Sequence, residues 1–255
     1  MDHPVRALLC DIEGTLVFKG QPIPGAAAAL AALRSRNVPL RFLTNITRRL
    51  PDAIAADLQR AGIDAAPGEI ETATTAAAAF LRARPGKSAA LFVPEAVLPA
   101  FAGIPRDEEA PDYVVIGDLG EGFTFDVLNH AYLLLDNGAA LIALHKGLYW
   151  FDGPRKQIDS GFFVAGLEAA SGRAATLIGK PSPHFFAAAL ERLGAKPEET
   201  AVVGDDLVAD IGGAAGSGLR SILVETGKFD PAKHEAKPEP TWRVKSFAEV
   251  PGLVG

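Results

Sequence analysis

The chain has 255 residues, 48% of them hydrophobic and 22% charged, which supplies material for a large buried core and excludes a disordered chain. Its 25 Lys and Arg against 31 Asp and Glu leave a net charge of −6, a balance that argues against coating nucleic acid or an anionic membrane surface. A lone cysteine, Cys10, cannot form an internal disulfide, no run of about 18 apolar residues is present, and the first apolar stretch is broken by Asp11 and Glu13, so a cytoplasmic protein without signal peptide or membrane span is expected.

In chain order, Ala7-Leu8-Leu9-Cys10 is apolar on both faces and ends at Asp11, the pattern of a central strand in a parallel sheet. Ala26–Arg36 reads as an Ala/Leu-rich helix, Val38–Leu43 as a strand ending at Thr44-Asn45, Pro51–Ala61 as a helix closed by Gly62, and Ala73–Arg84 as another helix. The next stretch alternates in the same way. Strands are expected at Ala89–Val93, Tyr113–Ile116 and Ala140–Leu144, and helices at Pro94–Ala102, Phe125–Leu135 and Ser160–Ala170. Pro183–Leu193 is then a helix ending at Gly194, Thr200–Val203 a strand ending at Gly204-Asp205-Asp206, Asp210–Gly216 a short helix and Arg220–Val224 a strand. Asp230–Pro240, rich in Lys, Glu and Pro, reads as a surface loop. Strands alternating with helices predict right-handed crossovers and a doubly wound, Rossmann-like α/β sheet. The expected division is a core of residues 1–85 and 177–255 with an inserted α/β domain of 86–176, and Pro85-Gly86 and Gly179-Lys180-Pro181 fit hinges.

Ligands of open α/β sheets bind beyond the carboxyl ends of the strands. Polar clusters occupy those ends here: Asp11 and Glu13, Thr44 and Asn45, and Asp205, Asp206 and Asp210, with Lys180 just ahead of a helix. Carboxylates that converge on one crevice repel and raise one another's pKa unless a cation intervenes. An oxygen-rich set of this kind suits a hard divalent cation, Mg²⁺ first. The alternative is that each cluster caps its own helix or turn.

These residues also fall into a known order. Asp11-Ile12-Glu13-Gly14-Thr15-Leu16 resembles the first motif of the haloacid dehalogenase (HAD) superfamily. Thr44-Asn45 resembles its second, Lys180 in Gly179-Lys180-Pro181-Ser182-Pro183 its third, and Gly204-Asp205-Asp206 with Asp210 its fourth. The insert is similar to the α/β "C2" cap of the NagD-like and 4-nitrophenylphosphatase branch. Gly227-Lys228-Phe229 and Asp126–Tyr149 look most like the subgroup of phospholysine/phosphohistidine inorganic pyrophosphate phosphatase and HAD-like hydrolase domain-containing proteins.

The resemblance implies a Mg²⁺-dependent phosphatase of small phosphorylated molecules that works through an aspartyl-phosphate. Asp11 is the implied nucleophile, and Asp11, Asp205 and the Glu13 backbone carbonyl are the implied metal contacts. Asp206 and Asp210 bind metal waters or orient Lys180, while Thr44, Asn45 and Lys180 hold phosphoryl oxygens. Glu13 stands where the family most often has Asp and where close subgroup relatives often have Ser. The string also resembles the enolase-phosphatase version of the motif, and Glu13 keeps a general acid/base role. A pyrophosphatase or phosphotransferase using the same Asp11, and a catalytically weak phospho-ligand binder, are the alternatives.

Other residues carry weaker signals. Lys146, after His145, contacts an anionic substrate or sits in an exposed turn. Arg48 and Arg49 meet a leaving group or form a solvated face. Tyr149-Trp150-Phe151 is a substrate platform, part of the insert's core or a homodimer contact. Asn45-Ile46-Thr47 matches a glycosylation sequon by chance, Cys10 is an inert core residue, and His184 is an ordinary first-turn residue. No Walker-type loop, Gly-x-Ser-x-Gly or metal-spaced Cys/His set occurs, which removes P-loop NTPases, α/β-hydrolases and zinc sites.

Overall fold

The structure, a computed structural model, describes residues 4–152, 155–227, 229 and 238–255, with the side chains of 151 and 152 left aside. Lys228 and most of the loop expected over Asp230–Pro240 lie outside the described residues.

The strands and helices follow in order: β1 (Ala7–Asp11), β2 (Val17–Phe18), β3 (Gln21–Pro22), α1 (Ala26–Ser35), β4 (Leu40–Thr44), α2 (Pro51–Arg60), β5 (Ile70–Thr72), α3 (Ala73–Arg82), β6 (Ala89–Phe92), β7 (Tyr113–Ile116), α4 (Phe125–Asp136), β8 (Ala140–Ala143), β9 (Tyr149–Asp152), β10 (Arg155–Ile158), α5 (Ser160–Ser171), β11 (Thr176–Leu177), α6 (Pro183–Leu193), β12 (Thr200–Gly204), α7 (Gly213–Gly216), β13 (Arg220–Val224) and β14 (Trp242–Val244). Contacts divide the chain into two compact units. The first is Met1–Thr44, Pro51–Glu71 and Lys180–Gly255; the second is Asn45–Leu50 and Thr72–Gly179. Among the described residues no helix is long and apolar enough to cross a membrane.

The first unit is built on a six-stranded sheet in the order β14-β13-β12-β1-β4-β5. The pairs β1–β12, β1–β4, β12–β13 and β13–β14 are parallel. β1 is central, and Leu8, Leu9 and Cys10 are fully buried because both sheet faces are covered, as its unbroken apolar run requires. The chain leaves β1 in both directions, toward β4 on one side and β12 on the other, which makes β1 the point where the strand order reverses. Cys10 pairs with Val203 and Asp11 with Leu43, so the residues just beyond β1 and β12 emerge side by side. Helix α1 buries Ala26, Ala29, Leu30 and Leu33, one face at helical spacing. Phe185 and Phe186 of α6, with Phe42 of β4, are fully buried, each worth roughly 1.5–3 kcal/mol of apolar burial.

The second unit has its own four-stranded sheet, β11-β8-β7-β6, whose pairs are all parallel. Its core joins Val114 and Ile116 of β7, Leu141 of β8, Leu134 and Leu135 of α4 and Val164 and Leu167 of α5. Both helices start on a side-chain cap. Thr124 accepts the Val127 N–H and Asp159 accepts the Ser160 N–H.

The sequence expectation and the structure differ locally at three places. Glu95–Phe101 is a 3-10 helix rather than an α-helix; Pro99 inside it offers no N–H to an α-helical ladder. β9 and β10 form an antiparallel hairpin in a stretch to which the sequence assigns no element. The short helix expected from Asp210 begins earlier, as a π-helix over Leu207–Gly212 that runs into α7.

Candidate active site

Asp11 is the last residue of β1, and Asp205 directly follows β12. Adjacent parallel strands therefore deliver two carboxylates to one place. Asp210 comes from the π-helix, whose wider turn is stabilised at its start by Asp206. The Asp206 Oδ1 accepts the N–H groups of Val208 and Ala209, both at 2.9 Å. Asp210 folds back so that its Oδ2 accepts the Asp206 N–H at 3.2 Å. A carboxylate oxygen from each of Asp11, Asp205 and Asp210 lies within 4.8 Å of the others, and all three residues are buried.

Lys180, 4% exposed, reaches into this group. Its Nζ donates to Asp11 Oδ1 at 2.5 Å and to Asp210 Oδ1 at 2.7 Å. Burial disfavours its charge, but Asp11 and Asp210 outweigh that and hold the ammonium above the ordinary lysine range. Burial pushes the Asp210 carboxyl up to about 7, with Lys180 opposing and Asp11 adding to the rise. Thr15 Oγ1 donates to Asp11 Oδ2 at 3.3 Å, so both oxygens of Asp11 are oriented.

Glycines make room for the carboxylates. A Cβ on Gly204 would lie 2.2 Å from Asp210 Oδ2. Gly14 and Gly227 both have positive φ, at +88° and +63°, and a Cβ on either would lie 2.2 Å from Asp205 Oδ2. Only glycine fits at these two positions, on backbone grounds and on space.

Hard divalent cations take oxygen ligands at about 2.0–2.6 Å, which places donor oxygens no more than about 5 Å apart. The 4.8 Å grouping of three carboxylate oxygens meets that condition. Three carboxylates against the one ammonium of Lys180 also favour a further positive charge beside them. The donor chemistry thus fits Mg²⁺ or a similar ion.

The other expected site residues are placed as follows. Thr44 ends β4 and is buried. Glu13 is exposed, and its Oε1 accepts the Lys19 N–H at 2.8 Å, in the turn between β2 and β3. Asp206 is engaged in the cap described above. Asn45 groups with the second unit, where its Oδ1 packs close to Gly179. Cys10 is fully buried, and burial pushes its thiol far above the usual range, so it is not a nucleophile.

In the second unit, Lys146 is bound to both oxygens of Glu168, at 2.9 and 2.7 Å. His145 is buried. Its Nδ1 accepts the Gly147 N–H at 3.2 Å, while Nε2 lies 2.7 Å from Ser160 Oγ and 3.2 Å from Asp159 Oδ1. This knot ties the turn after β8 to the start of α5. Arg48 lies 3.8 Å from Asp118, and Arg49 is half-buried. Tyr149 and Trp150 are about half exposed, with Lys156 stacked 3.6 Å over the Tyr149 ring. His184 is exposed at the first turn of α6.

Sequence reasoning missed the glycine walls and Thr226. Their one signal is position: Gly204 immediately precedes Asp205, and Thr226-Gly227 follows the strand beside β12.

Comparison with known proteins gives a consistent result. A haloacid dehalogenase-like hydrolase family model matches residues 8–102, and a HAD-hydrolase-like model matches residues 177–250. The chain is 38% identical over 244 residues to haloacid dehalogenase-like hydrolase domain-containing protein 2 of Bos taurus, covering 95% of this chain and 93% of that one. It is 38% identical over 244 residues to the phospholysine phosphohistidine inorganic pyrophosphate phosphatase of Xenopus laevis, covering 93% and 89%. Among solved structures it is similar to NagD of E. coli K-12, with a TM-score of 0.89, 32% identity and 96% and 98% of the chains covered. It is also similar to the 4-nitrophenylphosphatase of Thermotoga maritima, with a TM-score of 0.92, 28% identity and 98% of each chain covered.

Proposed function

This chain belongs to the haloacid dehalogenase-like hydrolase family and is a phosphatase, and from that premise we propose that it hydrolyses a small phosphorylated substrate through an aspartyl-phosphate on Asp11, with Mg²⁺ as cofactor. The observation that carries this reading is the Lys180 ammonium held between Asp11 and Asp210, with the Asp205 carboxylate alongside.

In the first step an Asp11 oxygen attacks phosphorus and the bond to the leaving oxygen breaks. Glu13 gives that oxygen its proton. In the second step water attacks the aspartyl-phosphate, Glu13 takes the water's proton, and phosphate leaves with the Asp11 carboxylate restored. Glu13 is thus a carboxylate between the steps, and the proton it takes from water restores the acid for the next cycle. Lys180 offsets the repulsion between the attacking carboxylate and the anionic phosphoryl group. The Thr44 hydroxyl holds a phosphoryl oxygen that is not transferred, and Asp210 keeps Lys180 in place. Asp11, Asp205 and the Glu13 backbone carbonyl would hold Mg²⁺, which would supply further screening of negative charge. Residues 86–176, as a cap domain, carry the choice of substrate.

The test is phosphate release from p-nitrophenyl phosphate with Mg²⁺ and with excess chelator. Activity in Mg²⁺ that disappears in chelator and returns on re-addition supports the reading; full activity in chelator contradicts it. A second reading, pyrophosphate hydrolysis or phosphotransfer by the same Asp11, draws on the name of the Xenopus laevis relative. A panel of phosphorylated metabolites, phosphoamino acids and pyrophosphate separates the two, and binding of phosphorylated ligands without turnover of any would leave a catalytically weak binder.

A further inference from the structure

We infer that Thr226 is a positioning residue that fixes the Asp205 carboxylate and thereby sets the affinity of the site for its cation. The inference rests on the reading that Asp205 is a cation ligand.

Thr226 lies two residues beyond β13, on a loop that takes no part in the four motifs. Its Oγ1 donates to the backbone carbonyl of Gly14 at 2.5 Å. Gly14 stands three residues after Asp11, on the loop that leaves β1. The hydroxyl therefore ties the loop after β13 to the loop after β1. Immediately next to this tie the two backbones touch. A Cβ on Gly227 would lie 2.4 Å from Gly14 Cα, as well as 2.2 Å from Asp205 Oδ2. A Cβ on Gly14 would meet the same oxygen at 2.2 Å. Asp205 Oδ2 is thus walled by two glycine backbones that come from different loops, and the Thr226 hydroxyl holds those loops together. Without it the wall can open and the carboxylate gains rotamers that do not face Asp11 and Asp210. Groups that orient metal ligands without touching the metal typically contribute 10–100-fold in affinity.

The experiment is calorimetric binding of Mg²⁺ alone to wild type and to Thr226→Val, Thr226→Ser and Gly227→Ala, with the melting temperature of each recorded in chelator. Thr226→Val keeps the shape and removes the donor, so its Kd should rise about 10-fold or more, whereas Thr226→Ser should stay within about twofold of wild type. Gly227→Ala presses a methyl group on Asp205 with the hydroxyl still in place and should weaken binding as well; if Thr226→Val does not fold, Thr226→Ala, which also lacks the donor, takes its place with the same expected rise in Kd. A wild-type Kd preserved in Thr226→Val, or a Thr226→Ser variant as weak as Thr226→Val, overturns the inference while leaving the cation site standing. Wild type that binds no Mg²⁺ overturns the cation reading and this inference with it.

Discussion

Beyond β1 and β12, three carboxylates gather within 4.8 Å, with Lys180 bridging two of them. On β4 and β5 of the same unit, charge is buried just as deeply but is matched. Glu71 has no exposed surface and meets Arg192 at 2.7 Å and Arg41 at 3.9 Å. Beside it, Arg34 makes two parallel bonds to Glu69, at 2.8 and 2.7 Å. The same matching acts on Glu69, which is only partly buried. Burial pushes its carboxyl up, yet Arg34, the Ala66 N–H and Arg41 together outweigh this and the net shift is downward. The Asp210 carboxyl is pushed upward despite Lys180. Where a buried charge has a matched partner, removing that partner is what costs stability. Buried like charges oppose folding and persist where a ligand or a reaction needs them.

The comparison breaks most visibly at Asp11. Asp11→Asn removes the attacking anion and should lower turnover on the order of 10⁴–10⁶-fold, with the melting temperature in chelator not reduced. Asp205→Asn should likewise lose turnover without losing stability, because it relieves repulsion within the group. A fall in melting temperature in either variant would place these carboxylates with Glu71, as parts of the fold.

Glu13→Gln sharpens the chemical side. It should slow hydrolysis of the aspartyl-phosphate by roughly 10²–10⁴-fold. With p-nitrophenyl phosphate, whose leaving group needs no proton, rapid quench should show a nitrophenol burst followed by slow turnover. Loss of the burst would assign Glu13 to the Lys19 turn alone.

Glu71→Gln tests the other side. It leaves Arg192 and Arg41 facing an uncharged amide and should cost about 3 kcal/mol, read by urea unfolding, while kcat in the folded enzyme stays at the wild-type level. A neutral effect on stability would show that the Arg–Glu group is no more than tolerated. The smallest effect is expected at Lys146, whose pair with Glu168 is partly exposed. Lys146→Ala should change stability by less than about 1 kcal/mol, and a large rise in KM with little change in stability would give Lys146 a substrate role.

Much of this was legible in the sequence because strand ends and chemistry coincide. Ala7–Cys10 and Thr200–Val203 are apolar runs of the right length, and parallel pairing places whatever follows them side by side. Asp11 and Asp205 follow from that alone, whereas Lys180 and Asp210 stand out through the motifs they resemble. β5 was missed because Ile70-Glu71-Thr72 is short and runs straight into the Ala-rich α3. Its central Glu71 is also a poor strand signal until Arg192, 121 residues away, is known to face it. The role of Asp206 as a helix cap was hidden by its neighbour, since Asp205-Asp206 reads equally well as a pair of ligands. The wall formed by Gly14 and Gly227 depends on a meeting of loops 213 residues apart in the chain, given by the fold and by no local pattern.

The central claim is that Asp11 carries the phosphoryl group. Glu13→Gln enzyme mixed with p-nitrophenyl phosphate and Mg²⁺, quenched in acid during the slow phase and digested, should show a phosphoryl mass increment on the peptide that contains Asp11, in amount equal to the nitrophenol burst. A burst with the increment on another peptide, or turnover with no phosphoenzyme at any time, would contradict the account.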